Sequence, residues 1–122
     1  MKAWPEEACA LLLGTRSATG IHIEGIAFSE NTTVGDPRTS FEIDPALYIK
    51  LQKASRQGGP SVVGVWHSHP GGKAAPSEAD RAQSVEPEWV WLISATDGKT
   101  VHTNAFQAGA DNPHTLSPMT SD

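Results

Sequence analysis

Hydrophobic and polar positions along the chain alternate between two periods, and the points where the period changes mark the elements. From Pro5 to Gly14 the chain has proline near its start, Glu6 and Glu7 in the first turn, and the helix formers Ala8, Ala10, Leu11, Leu12 and Leu13 before a glycine, which predicts a short helix. Ile21 to Phe28 alternates apolar with polar or small residues and predicts a strand. Asp44-Pro45-Ala46 opens a second helix with an acidic cap and proline at the first helical position. Leu47, Leu51 and Ala54 give it an apolar stripe until Gly58-Gly59-Pro60 ends it. Ser61 to Trp66 is a nearly continuous apolar, β-branched run, the pattern of a central strand buried on both faces, with His67 beginning where that strand ends.

Between these elements lie the connections. Ser29 to Ser40, rich in Asn, Thr, Gly, Asp and Pro, is a loop long enough for its surroundings to mark it as a candidate ligand contact. Pro76-Ser77-Glu78-Ala79-Asp80 reads as a helix start, and strands follow at Trp89 to Ser94 and Thr100 to Phe106 around an Asp97-Gly98 turn. From Gln107 the mixture of Ala, Gly, Asp, Asn, Pro, Ser and Thr reads as a frayed tail. The order α, β, α, β, α, β, β describes an α/β sandwich on a mixed sheet. We expect one domain over residues 1–106 and a flexible tail over 107–122, with no internal repeat or linker.

Composition narrows the picture. At 122 residues, with 38% hydrophobic and 19% charged positions, the chain suits one domain with a real core. A net charge of −5 and the lack of any Lys/Arg run argue against an electrostatic grip on nucleic acid or an anionic membrane. The single cysteine, Cys9, cannot form an internal disulfide, and no basic-then-apolar leader or membrane-length apolar run occurs in the sequence. The expected location is the cytoplasm.

Chemistry concentrates in one segment. On an extended strand, residues two apart face the same side at about 6.5 to 7 Å, so His67 and His69 can present both imidazoles to one point. Ligand nitrogens at about 2.0 to 2.1 Å from a zinc ion fit that geometry, and Asp80 can supply a third ligand from the next helix, leaving one position open. Such an ion lowers the pKa of its water from about 15.7 towards about 7 and polarises a carbonyl. Taken singly, the signals are ordinary: two histidines around a serine arise by chance, and Ser77-x-x-Asp80 is by itself a helix capping box. Capping and ligation do not compete, since Ser77 can cap while Asp80 ligates. Two imidazoles and a carboxylate suit iron as well as zinc.

His67-Ser68-His69-Pro70, then Ser77-Glu78-Ala79-Asp80, preceded by Glu7-Ala8-Cys9-Ala10 and a Leu-rich stretch ending in Gly14, resembles the signature of the JAMM or MPN-plus zinc metalloproteases. The resemblance spans roughly residues 5 to 106, with Glu7 rather than Glu6 in register. It implies the MPN, cytidine-deaminase-like fold: an α-β-α sandwich around a mixed, partly closed sheet. It also implies one catalytic zinc ion held by His67, His69 and Asp80, Glu7 as general base and acid, and Ser77 as donor to the oxyanion. The implied reaction is hydrolysis of a peptide or isopeptide bond at the thin C-terminal tail of a ubiquitin-like or sulfur-carrier protein.

The chain departs from the family pattern in three places. Only Arg81 to Pro87 separate Asp80 from the next strand, where deubiquitinating relatives carry a long insertion, so linkage-specific cleavage of polyubiquitin is not expected. Only six residues precede Glu7, which leaves a sheet edge that a second protomer in a homodimer would cover. Ala10 stands where the family often has glycine. The rival reading is a non-catalytic MPN-type interaction domain with residual zinc binding; such scaffolds lack one or more of the ligands found here. Cys9 reads as a core residue, since a cysteine nucleophile needs a basic partner. His22, His102 and His114 have no neighbours at ligand spacing. Trp66, Trp89 and Trp91 read as core or groove wall, and Trp4 fits either.

Overall fold

The apolar run that begins at Cys9 is a strand. In the computed structural model, which describes residues 6–96 and 99–119, β1 (Cys9–Ser17) pairs antiparallel with β2 (Gly20–Ser29) on one side and with β3 (Ser61–Pro70) on the other. The helix expected from Pro5 to Gly14 is therefore overturned, Pro5 itself lying outside the described residues. Cys9, Ala10, Leu11 and Leu12 are all at most 1% exposed, so side chains of both strand faces need cover. A strand inside a sheet provides that cover, whereas a surface helix would leave one side wet, and a short run apolar on every side is the pattern that periodicity cannot resolve.

The remaining elements follow in chain order. Helix α1 (Pro45–Arg56) starts as expected, with the Asp44 side chain accepting the Ala46 N–H and Pro45 in the first turn. It docks lightly, with no fully buried residue. Helix α2 (Glu78–Gln83) leads into β4 (Val90–Thr96), followed by β5 (Val101–Ala108) and β6 (Leu116–Pro118). The expected Asp97-Gly98 turn, like Trp4, falls outside the described residues. The stretch from Gln107, read as a tail, completes β5 and returns as β6, with Leu116 packed into the core.

The six strands form a mixed sheet in the order β2-β1-β3-β4-β5-β6, which does not close on itself. All neighbours are antiparallel except β3 and β4, which run parallel and are joined through α2. Gly64 sits where a Cβ would come 2.1 Å from the Val90 carbonyl oxygen, so the close approach of β3 to β4 demands glycine. The main core gathers Cys9, Phe41, Val65, Trp91, Ile93, Phe106, Ala108 and Leu116, with Trp89 against it. β3 does not stop at Trp66: it runs on through Pro70, paired with β4 up to Thr96, so both histidines sit on a rigid central strand. Among the described residues, no helix is long and apolar enough to cross a membrane.

Candidate metal centre

Because β3 remains extended through the histidines, His67 and His69 project from one face, their ring centroids 4.6 Å apart. His67 is fully buried, stacked on Phe41 at 4.3 Å and met edge-on by Trp91. These rings hold the imidazole in place from its face and its edge.

Asp80 reaches the pair from α2. Ser77 and Asp80 form a reciprocal capping box: the Asp80 N–H donates to Ser77 Oγ, and the Ser77 N–H donates to Asp80 Oδ2. The same carboxylate places Oδ1 3.2 Å from His67 Nε2 and Oδ2 3.1 Å from His69 Nε2. The cap thus orients the carboxylate, and Ser77, exposed at the edge of the site, accepts through its oxygen while its own O–H donates to no acceptor among the described residues.

Glu7 closes the opposite side. It is 4% exposed, with Oε1 3.3 Å from His67 Nδ1. The backbone on either side of it is held by three hydrogen bonds. Its N–H donates to the Pro37 carbonyl at 2.6 Å, its own carbonyl accepts from Asn31 Nδ2, and the next residue, Ala8, donates its N–H to Ser68 Oγ at 2.8 Å. The loop from Ser29 to Ser40 is therefore the clamp on Glu7, with Asn31 also bonding Ser40, Thr33 and Glu42. Ser68 and Asn31 are positioning residues that the sequence reading passed over. Asn31 carries no motif signal, whereas Ser68 stands inside the His67-Ser68-His69-Pro70 motif without a role read for it, and a serine between two candidate ligands faces the opposite side of the strand by the same two-residue alternation.

Electrostatically, the cluster suits a cation. Burial opposes charge on His67, yet the Asp80 and Glu7 carboxylates on either side raise its pKa above the ordinary value. The same holds for His69, where Asp80 and the Lys73 carbonyl overcome burial. Burial also works against the Asp80 carboxylate, but the two imidazoles hold its pKa far below the usual carboxylate range. His69 Nδ1 donates to the Lys73 carbonyl at 2.8 Å, so in the neutral ring Nε2 carries the free lone pair and points at Asp80.

The donor set fits a metal ion. Glu7, His67 and His69 each offer one ligand atom, all within 4.8 Å of one another, and Asp80 adjoins both imidazoles. His67 Nδ1 and Nε2 and Glu7 Oε1 are buried within ion-pair distance of carboxylate or imidazole, yet none of them meets hydrogen-bond geometry. Buried polar atoms in native proteins are nearly always satisfied, so unsatisfied atoms around this imidazole indicate a group that one of them would bind. Neutral imidazole and carboxylate are the ordinary ligands of zinc. His22, His102 and His114 stand apart; His114 Nδ1 donates to the Arg81 carbonyl, which ties the segment before β6 to α2. Cys9 is buried, and that burial, with Glu7 adding to it against the Ser29 hydrogen bond, pushes its thiol up to about 11, the reverse of an activated nucleophile.

The family described as prokaryotic homologs of the JAB domain matches residues 1–108. The chain is 32% identical over 99 residues to the desampylase of Haloferax volcanii, covering 80% of this chain and 69% of that one. It is 38% identical over 64 residues to a probable TtuB-protein conjugate cleaving protease of Thermus thermophilus, covering 51% and 41% of the two chains. Among solved structures, a Desulfitobacterium hafniense protein superposes with a TM-score of 0.78 at 27% identity, over 97% of this chain and 78% of that one. A Salinibacter ruber protein does so with a TM-score of 0.70 at 26% identity, over 98% and 78%.

Proposed function

Because the chain belongs to the family of prokaryotic JAB-domain homologues, we propose that it is a zinc-dependent isopeptidase that cuts the bond at the C-terminal tail of a ubiquitin-like or sulfur-carrier protein. The observation that carries this reading is the cluster at the end of β3, where Asp80 meets His67 Nε2 and His69 Nε2 and Glu7 meets His67 Nδ1, in a chain whose relatives bear the names of desampylase and conjugate-cleaving protease. His67, His69 and Asp80 would hold the ion. When bound, zinc supplies a Lewis acid that polarises the scissile carbonyl and brings the pKa of water at the site towards about 7.

The chain's own residues do the rest. Glu7 accepts the proton of the attacking water and returns it to the leaving amine, so it acts as base and then as acid. Its clamp by Pro37, Asn31 and Ser68 supports that role, since proton transfer needs heavy atoms held within about 2.6 to 3.2 Å. Ser77 donates its free O–H to the carbonyl oxygen as charge develops there. The open edge at Ser77 suits a thin extended tail, and seven residues from Arg81 to Pro87 leave no insertion to grip a second carrier domain.

Glu7→Gln tests the reading. Turnover of a carrier-protein conjugate, followed by mass measurement of the products, is expected to vanish while zinc content stays at wild-type level. Equal turnover in the variant would sink the mechanism, and no turnover by a zinc-loaded wild type would favour the non-catalytic interaction domain.

A further inference from the structure

One short loop, Gly71 to Pro76, joins the end of β3 to the Ser77 cap of α2, and so connects the strand that carries His69 to the helix that carries Asp80. The loop leaves β3 through Gly71, whose φ of 70° turns the chain and whose N–H donates to the Thr96 carbonyl at 2.7 Å. The Gly72 N–H then donates to the His69 carbonyl, and the Lys73 carbonyl accepts from His69 Nδ1. The next carbonyl, that of Ala74, accepts from Asn104 Nδ2 at 3.0 Å. A carbonyl oxygen can only accept, so the Asn104 amide must present its nitrogen there.

Asn104 reaches the loop from the middle of β5. His67, Ile93 and Asn104 stand opposite one another on β3, β4 and β5, so the three side chains share the face of the sheet that carries the imidazoles. Asparagine is depleted in strands. Asn104 is exposed and joins neither cluster of core residues, so threonine would serve the strand better. What asparagine adds is an amide that spans from β5 to the loop.

We propose that Asn104 is a positioning residue for the metal centre: by holding the Ala74 carbonyl it fixes the adjoining Lys73 peptide, whose oxygen sets the His69 ring with Nε2 turned towards the ion. The proposal rests on the reading of His69 as a ligand. An imidazole whose Nδ1–H is held by a backbone carbonyl keeps the other nitrogen free of its proton and aimed. That carbonyl must itself be held, and two glycines just before it leave the chain freer to rotate than any other pair would. The Asn104 bond restrains the Lys73 peptide from the side away from the glycines. It also lies just ahead of Ser77, and so limits how far the capping box can drift from His69.

Nuclear magnetic resonance of the zinc-loaded full chain, with its histidine rings labelled with nitrogen-15, tests this. In the wild type the His69 Nδ1 proton is expected to be visible and slow to exchange with solvent. Asn104→Ala is expected to speed that exchange severalfold while the His67 ring resonances stay in place. In competition with a chelator it should weaken zinc affinity about 10-fold, the low end of the range for loss of a partner that orients a ligand. Asn104→Asp, of the same shape without the donor, is expected to match Asn104→Ala. Asn104→Gln keeps the amide and is expected to restore most of both losses. The zinc-free variants should unfold within about 2 °C of the wild type, as expected for a substitution at an exposed position. Exchange and zinc affinity at wild-type level in Asn104→Ala and Asn104→Asp overturn the proposal, as does a loss in Asn104→Gln equal to that in Asn104→Ala. Undiminished zinc affinity in His69→Ala would instead overturn the ligand reading on which the proposal stands.

Discussion

Ser68 Oγ accepts the backbone N–H of Ala8 at 2.8 Å, and Ser68 in turn donates its own N–H to the Ala8 carbonyl at 3.0 Å. One residue before each partner stands a member of the candidate site, Glu7 just ahead of β1 and His67 on β3. The pair is therefore a two-point clamp between base and ligand. Ser68→Ala is expected to lower kcat about 10- to 100-fold, as Glu7 loses its placement, with zinc content unchanged. The unpaired Ala8 N–H should also cost about 1 to 3 kcal/mol of stability by denaturant titration. Unaltered kcat would show that Glu7 does not depend on the clamp.

Removal of one ligand should separate binding from chemistry. Asp80→Asn and His69→Ala are expected to lower zinc affinity by more than the roughly 10- to 100-fold typical of removing a supporting hydrogen bond. Chelator-treated wild type should regain turnover with added zinc, and these variants should not. Elemental analysis before and after dialysis reads the outcome, and full zinc occupancy in Asp80→Asn would remove Asp80 from the ligand set.

Ser77 and Asp44 both cap helices, but only Ser77 borders the candidate site. Ser77→Ala and Asp44→Ala should each cost about 1 kcal/mol in thermal or denaturant unfolding. Only Ser77→Ala should also reduce kcat, by about 10²- to 10³-fold, the loss expected for an oxyanion donor. Equal kcat in the two variants would leave Ser77 as a cap alone.

Cys9 should behave as an inert core thiol. Burial, and then the nearby Glu7 carboxylate, raise its pKa from 9.0 to about 11. At pH 8 the folded protein should resist iodoacetamide over hours and react within minutes once unfolded. The sign of the linked stability follows: the unfolded thiol ionises first, so this contribution is fully present below about pH 9 and is lost as pH rises through about 11. Rapid labelling of the native protein would contradict its burial at the start of β1.

Gly64→Ala should be severely destabilising, since its Cβ would come 2.1 Å from the Val90 carbonyl oxygen and push β3 from β4. Loss of the cooperative thermal transition, with a parallel loss of zinc, is the expected result. A Tm within a few degrees of wild type would mean the strands can separate there without disturbing the site.

Local patterns in the sequence expose some of this and conceal the rest. The His67/His69 pair and the Ser77 cap are readable because each rests on local spacing, and so is α1 with its Asp44-Pro45 start. β1 is misread because alanine, leucine and acids near a proline satisfy every helix preference while the decisive fact, burial on both faces, is tertiary. The same limit hides β6, whose three residues pair only because β5 is already in place. The positioning roles of Asn31 and Ser68 are hidden for that reason too: each gains its role from partners tens of positions away or across a loop.

The bulge between Leu12 and Leu13, where β1 shifts register against β3, bears on how this activity could be gained or lost. It pins Cys9 opposite His67, so the distance from Glu7 to its imidazole partner is kept by strand alignment. One residue inserted between Glu7 and Cys9 would displace the carboxylate relative to His67, with β1, the capping box and the three candidate ligands kept in place. Such a variant is expected to fold and to lose turnover. Catalytic silence in this architecture therefore lies one codon away from full competence, without the loss of any of the five candidate side chains.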